Sequence, residues 1–344
     1  MGASTAWSLA RRGRSVVLLE QFGPGHTRGS SHGGSRIYRL AYPDPVYIDL
    51  ARAAREEWRE LEAETGAELL IRTGSVDHGH AASVRDLAAV LVTRHVRHEM
   101  LDPDEAASRW PGMRFDGPVL HQPDGGRVMA DRAWSLLIER FEQLGGTMRW
   151  NTPARAVEPA GDGARVLTDD ETYEAPAVVV AAGGWVESLL AAHISLPELI
   201  VTQESAFHFA PHESTEWPSF IHHAPVAIYG LETPGEGVKV AEHHSGAAVS
   251  AESRDFVVDA DARARVTDFV AEWLPGLDPA PVTEVTCLYT NTVNEDFILD
   301  RVGPIVVVSP CSGHGFKFAP AIGRMAANLV AGGAPVGRFA LPRG

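Results

Sequence analysis

The sequence predicts a mixed α/β (α+β) chain in which a parallel, nucleotide-type layer is interrupted by a second domain built on an antiparallel sheet. Three observations point there. A helix followed by an apolar strand occupies residues 2–20, and two further apolar runs, 178–182 and 305–308, have the composition of buried parallel strands. Between them, residues 199–291 alternate strand-like segments with Pro and Gly turns. At 344 residues the chain has room for two domains and a full core.

The elements follow in order. Ala3, Ala6, Leu9 and Ala10 recur at helical spacing, Arg11 and Arg12 suit a helix C-terminus, and Gly13 stops it. Residues 15–20 form an apolar run ending in Glu20, the pattern of a buried parallel strand, and 21–35 form a Gly/Ser/His loop with no apolar period. An amphipathic helix is expected over about 44–65, with Val46, Leu50, Ala54, Trp58 and Leu61 on one side. Further helices are expected near 81–95 and 131–144, and strands near 147–151, 154–158 and 164–168. The 178–182 strand breaks at Gly183-Gly184-Trp185, one helix lies near 261–273, and the 305–308 strand leads through a loop into a helix over about 320–330.

Composition excludes several classes. Lys plus Arg total 30 against 45 Asp plus Glu, a formal charge of -15 that repels nucleic acid. The longest apolar stretches, such as 175–182, fall far short of the roughly 20 residues a membrane span needs. Residues 1–12 continue straight into a fold-like pattern, so no signal peptide is expected. Two cysteines make no disulfide framework, which suits a reducing cytoplasm. The histidine pairs His222-His223 and His243-His244, with His208 and His212, fit no ordered ligand spacing, so no metal site is expected. Of the 30 basic residues only Lys239 and Lys317 are lysine. In a chain that uses Arg wherever a generic positive charge suffices, these two are candidates for work that needs a compact, deprotonatable ammonium.

The opening resembles the helix and second strand of a βαβ dinucleotide unit, where a glycine turn admits a pyrophosphate and an acid at the strand end binds ribose. Gly2 would be the last glycine of that turn and Glu20 the acid, 18 residues later. The lead strand and the first two glycines do not precede them, and the expectation is that Met1 is an internal methionine of a longer reading frame.

Four stretches carry a more specific signal: Gly29-Ser30-Ser31-His32-Gly33-Gly34-Ser35-Arg36-Ile37-Tyr38-Arg39, Gly237 to His243, Cys287-Leu288-Tyr289-Thr290, and Ser312-Gly313-His314-Gly315-Phe316-Lys317-Phe318. In this order and spacing the chain resembles the monomeric sarcosine oxidase family, which includes N-methyltryptophan and pipecolate oxidases. The resemblance implies a Rossmann-like FAD-binding domain over 1–45, 125–198 and 284–344, and a substrate domain over 46–124 and 199–283. It implies FAD held covalently by a thioether to Cys287, and Lys239 near the flavin promoting its reaction with oxygen. It also implies that Arg39 and Lys317 bind the substrate carboxylate. By the same resemblance Tyr229, Tyr289 and His243 are expected to line or support the active site, and Gly2, Glu20, Ser31, His32, Arg36, Gly183, Trp185, Gly313, His314, Gly315 and Lys317 to contact the cofactor. The implied reaction oxidises a C–N bond of a secondary or tertiary amino acid to an imine, with oxygen as acceptor and hydrogen peroxide as product. The implied partners are a small-molecule amino acid and O2, on a monomer.

Physical chemistry agrees with these roles. A fixed ammonium stabilises charge developing on oxygen, and Arg with a second cation recognises a carboxylate. A thioether needs thiolate character at Cys287, which basic neighbours promote. Other readings stay open: Cys287 as an inert buried thiol, Cys311 as structural, Arg36 and Arg39 as a surface ion-pairing set. Gly34-Ser35 stands where many sarcosine oxidases carry Asp-Thr, closer to the pipecolate-type pattern, with the carboxylate site intact. Two alternatives to an oxidase are a dehydrogenase using another electron acceptor and an inactive remnant that holds no FAD.

Overall fold

The computed structural model describes residues 1–342 apart from Thr215 and Pro310. The first helix, Gly2–Arg11, is buried from Ser4 to Ala10, and apart from Trp7 and Leu9 the buried side chains, Ser4 and Ser8 among them, are small. These small side chains let it press against the helix Ala319–Val330, where a Cβ added to Gly323 would lie 2.5 Å from the carbonyl carbon of Ser4. Two groups of strands lie beneath. Val17–Leu19 pairs parallel with Thr147–Arg149, and Val178–Val180 pairs parallel with Ile305–Ser309, whose other edge takes Ile298–Val302 antiparallel. Residue 2 bridges them, since a Cβ there would touch both Leu18 and Ala181. Together with the surrounding helices they make the Rossmann-like part of the mixed α/β fold.

One expectation needs correction. The 15–20 segment is a strand only over Val17–Leu19 and is not buried: Val17 is 46% exposed and Leu18 and Leu19 are half-buried. Its apolar side chains border a large cavity, and Val16, Leu18 and Leu19 pack only in part against the neighbouring cores. The helices near 81–95, 131–144 and 261–273 form as Ala81–Thr93, Ala130–Gln143 and Ala260–Trp273. A short helix, Pro103–Arg109, was hidden by its single buried apolar residue, Ala106.

The helix Pro45–Thr65 starts where Asp44 accepts a hydrogen bond from the Val46 amide (2.8 Å) and ends at Gly66 in the left-handed conformation (φ 69°). Its buried stripe, from Tyr47 through Ala54 to Leu61, joins one core with Trp7, with Phe318 and with Ile322 of the Ala319–Val330 helix. Burying such side chains contributes roughly 1.5–3 kcal/mol each. Trp58 is fully buried there, and its indole N–H donates to the Lys317 carbonyl at 2.9 Å.

The large sheet has nine strands. Its longest pair, Leu199–Pro211 and Leu277–Thr292, runs antiparallel with Glu204 opposite Cys287 and Thr202 opposite Tyr289. Gly237–Glu242, Ile228–Thr233 and Ser219–His223 continue it antiparallel. Ser219–His223 then joins Ser75–Gly79 in a parallel pairing, Asp77 opposite Ile221, and the sheet ends at Val119–Gln122 and Glu99–Leu101. Phe207, Phe209, Val238, Val240 and Phe220 form a second core on one face. The opposite face of the same strands looks into the cavity.

Candidate active site

A single cavity of about 1460 Å³ runs from the start of the first helix to the large sheet, and every site residue expected from the sequence lines it. Gly2 and Glu20 lie at one end. The 29–36 loop, Gly183 and Trp185 follow, and Lys239, Tyr229, His243, Cys287, Tyr289, Arg39 and the 313–317 loop close the other.

Both lysines are buried, Lys239 at 7% and Lys317 at 6% exposure. Lys239 sits on a strand whose alternate residues, Val238 and Val240, enter the second core, so its own side chain is turned to the cavity. Its ammonium donates to the Ser35 carbonyl at 2.9 Å. Lys317 donates to the Tyr42 hydroxyl and to the His314 carbonyl, both at 2.8 Å. Among the described residues neither lysine makes a salt bridge. Burial, with Arg36 nearby, pulls the Lys239 pKa down to about 7. Burial and then Arg39 hold Lys317 well below its ordinary value.

Arg36 ties the loop before it, donating to the carbonyls of Ser30 (3.0 Å), His32 (2.6 Å) and Ser35 (2.8 Å). Arg39 lies over the Tyr42 ring, 4.5 Å from its centroid, and donates to the Ala41 carbonyl. His243 Nδ1 is 3.4 Å from the Tyr289 hydroxyl, and the Tyr229 ring stands edge-on to His243 at 6.3 Å. Burial, reinforced by His244, lowers the His243 pKa to about 3, and burial raises both tyrosines. Near neutral pH these three are uncharged hydrogen-bonding groups. Gly313 has φ +73°, and a Cβ there would fall 2.3 Å from the Tyr289 ring, so the loop needs glycine to lie against that ring.

The expectation of thiolate character at Cys287 is corrected. Burial pushes its thiol up, while Arg36 and Lys239 pull it back only in part. His32 is held down at about 4 by burial and by Arg36.

The cavity fits a bound FAD by three observations of its lining. The first helix has no side-chain cap and no acid in its first turn, leaving unpaired amides for an anion. Glu20 spends one carboxylate oxygen on the Phe22 amide (3.0 Å) and lies half-buried on the cavity wall. Buried polar atoms on the wall, His32 Nε2, Trp185 Nε1 and His314 Nδ1, have no protein partner among the described residues.

Comparison with known proteins gives the family. The FAD dependent oxidoreductase (DAO) family model matches residues 1–329. The chain belongs to that family. Among its relatives in the DAO family, the monomeric sarcosine oxidase of Streptomyces avermitilis is 32% identical, over 98% of this chain and 94% of that protein. The peroxisomal sarcosine oxidase of Homo sapiens is 34% identical, over 94% and 88%. Of the solved structures, NikD, an unusual amino acid oxidase essential for nikkomycin biosynthesis, superposes with a TM-score of 0.90 at 26% identity, covering 98% of this chain and 94% of NikD.

Two residues beside the DAO-type cavity, Tyr42 and Asp77, carry no sequence signal, and His223 enters the sequence reading only among histidines that fit no metal-ligand spacing. Tyr42, Lys317's partner, lies in a Pro-rich turn. Asp77 and His223 are joined by a 2.9 Å contact across the parallel strand pair. The described residues include no cluster of three or more His, Cys, Asp or Glu side chains arranged to hold a metal, and no helix is long and apolar enough to cross a membrane.

Proposed function

We propose that the protein is an FAD-dependent oxidase of secondary or tertiary amino acids, of the N-methyl or the cyclic kind. The observation that carries this is the placement of the chain's two lysines. Both are buried, both lack a carboxylate partner among the described residues, and both line one cavity beside an arginine. A buried ammonium without a counter-ion is costly, and a bound anion relieves that cost.

When bound, FAD supplies the two-electron oxidation of the substrate C–N bond and the return of those electrons to oxygen as hydrogen peroxide. The residues of the chain do the rest. Arg39 and Lys317 take the substrate carboxylate, Lys317 oriented by Tyr42 and by Trp58 on its carbonyl. Tyr289 and His243, both neutral, accept or donate hydrogen bonds to the amine and favour its uncharged form without acting as a strong base. Lys239 supplies a fixed positive charge where oxygen is reduced. Glu20 takes the ribose hydroxyls, and the amides that begin the first helix take the pyrophosphate. The imine product hydrolyses in water, giving formaldehyde from an N-methyl substrate.

We also propose covalent attachment at Cys287, whose thiol is on the cavity wall. Activation there would depend on Arg36 and Lys239 once the site is filled. The domain division over 1–45, 125–198 and 284–344 against 46–124 and 199–283 belongs to this reading, as do a monomeric state and a cytoplasmic location. Support for the monomer is the name of the Streptomyces relative.

The test is oxygen uptake with peroxide release by the flavin-loaded protein on sarcosine, N-methyltryptophan, pipecolate and proline. Turnover of one of them is expected. Substrate oxidation that consumes no oxygen would move the protein to the dehydrogenases. For the linkage, yellow colour should stay in the acid-precipitated pellet and leave with the supernatant in Cys287→Ser.

A further inference from the structure

Asp77 is a fully buried carboxylate placed directly behind Arg39. It lies in the strand Ser75–Gly79, where the large sheet changes from antiparallel to parallel pairing. Three groups face it. Arg39 Nη1 is 3.6 Å from Asp77 Oδ1, His223 Nε2 is 2.9 Å from the same oxygen, and Gln122 Nε2 donates to Oδ2 at 3.3 Å. Gln122 also accepts the Leu40 amide at 2.9 Å, which ties Asp77 to the backbone beside Arg39. Arg39 and His223 line the cavity, whereas Asp77 does not.

A carboxylate shut away from water persists as an anion only beside a cation, and its charge then cancels most of that cation's field. Arg39 and Lys317 would otherwise present two uncompensated positive charges to the substrate. With Asp77 behind Arg39, one remains. Of the other acids lining this end, Asp44 and Asp296 both pair with Arg338, Glu236 faces His208, and Glu295 is exposed to solvent.

We propose that Asp77 is a positioning residue that aims Arg39 and sets the charge of the substrate site to match one carboxylate, so that the enzyme accepts monocarboxylate amino acids and disfavours dicarboxylates. This rests on the amino-acid oxidase reading above. It adds to that reading a specificity device made of Asp77, His223 and Gln122.

The test titrates the holoenzyme with acetate and with malonate, following the perturbation of bound-flavin absorbance, so turnover is not needed. Asp77→Asn should shift the ratio of the two dissociation constants at least tenfold in favour of malonate. Asp77→Glu, which keeps the charge, should stay near the wild-type ratio. An unchanged ratio in Asp77→Asn, with both acids still binding, overturns the proposal and leaves the oxidase reading intact. Wild-type holoenzyme that binds neither acid overturns both. If Asp77→Asn does not fold, Asp77→Asn/Arg39→Met decides, because removing both charges should restore folding; a double variant that is equally unfolded contradicts the charge pairing.

Discussion

Lys239 and Arg36 donate to one and the same atom, the Ser35 carbonyl oxygen, at 2.9 and 2.8 Å. Two cations on one acceptor repel each other, and Arg36 is the largest charge acting against protonation of Lys239, after burial itself. The pair therefore stores positive potential at the cavity wall, next to Cys287.

The first prediction concerns that potential. Lys239→Met should slow reoxidation of the reduced enzyme by oxygen about 10²–10³-fold, the range for losing one preorganised charge, while reduction by substrate changes only a few-fold. Stopped-flow measurement of the two half-reactions checks this, and equal slowing of both would contradict it.

A second follows from the lowered pKa. Lys239 is protonated below about 7 and neutral above it, so the reoxidation rate should fall as pH rises through that value. Arg36→Gln removes the like charge that depresses it, and the fall should move to higher pH. A pH profile that does not move would show that the rate depends on another group.

Among the described residues Lys317 touches no carboxylate and donates only to Tyr42 and the His314 carbonyl. Lys317→Met should raise KM for an amino-acid substrate roughly 10–100-fold, matching the loss of one charge-assisted hydrogen bond of about 1.5–3 kcal/mol. Folding should persist, because the methionine stem occupies the same buried channel; steady-state kinetics and a melting curve check both halves.

Acid should unfold the protein early. Burial is the first cause that lowers His78 and His243 to about 3 and His32 and His208 to about 4. The unfolded chain binds protons at about 6.5, so between that value and the folded pKa it carries more protons than the native state. Stability is therefore complete above about 6.5 and is lost as pH falls, by about 1.4 kcal/mol per pH unit for each histidine. His78→Phe, which fills a site already edged by Phe115 at 5.1 Å, should flatten the slope of melting temperature against pH between 6 and 4. A slope equal to wild type would show that His78 is not buried neutral.

The parts of the site that were legible in the sequence are those where residue type and local spacing carry the chemistry. Lysine scarcity alone singled out Lys239 and Lys317, whereas the Tyr289 ring against which Gly313 lies carries no local sequence signal. The long helices, Pro45–Thr65 among them, followed from apolar periodicity. What stayed hidden depends on distant pairing. Asp77 reads as one polar residue in a short strand, and only the parallel pairing with a segment some 146 residues away brings His223 to it. Val17 kept an apolar identity that suggested burial, but its neighbour is a cavity. The Cys287 thiol was expected to be acidified by its neighbours, and burial outweighs them.

The most direct measurement is an anaerobic one. Flavin-loaded protein is mixed with an N-methyl or cyclic amino acid in the absence of oxygen, its visible spectrum is recorded, and air is then admitted. The account predicts bleaching of the flavin band, full recovery in air, and one equivalent of hydrogen peroxide per cycle. A flavin band that persists with every such amino acid, in protein that holds FAD, would contradict the assignment of this cavity to amine oxidation.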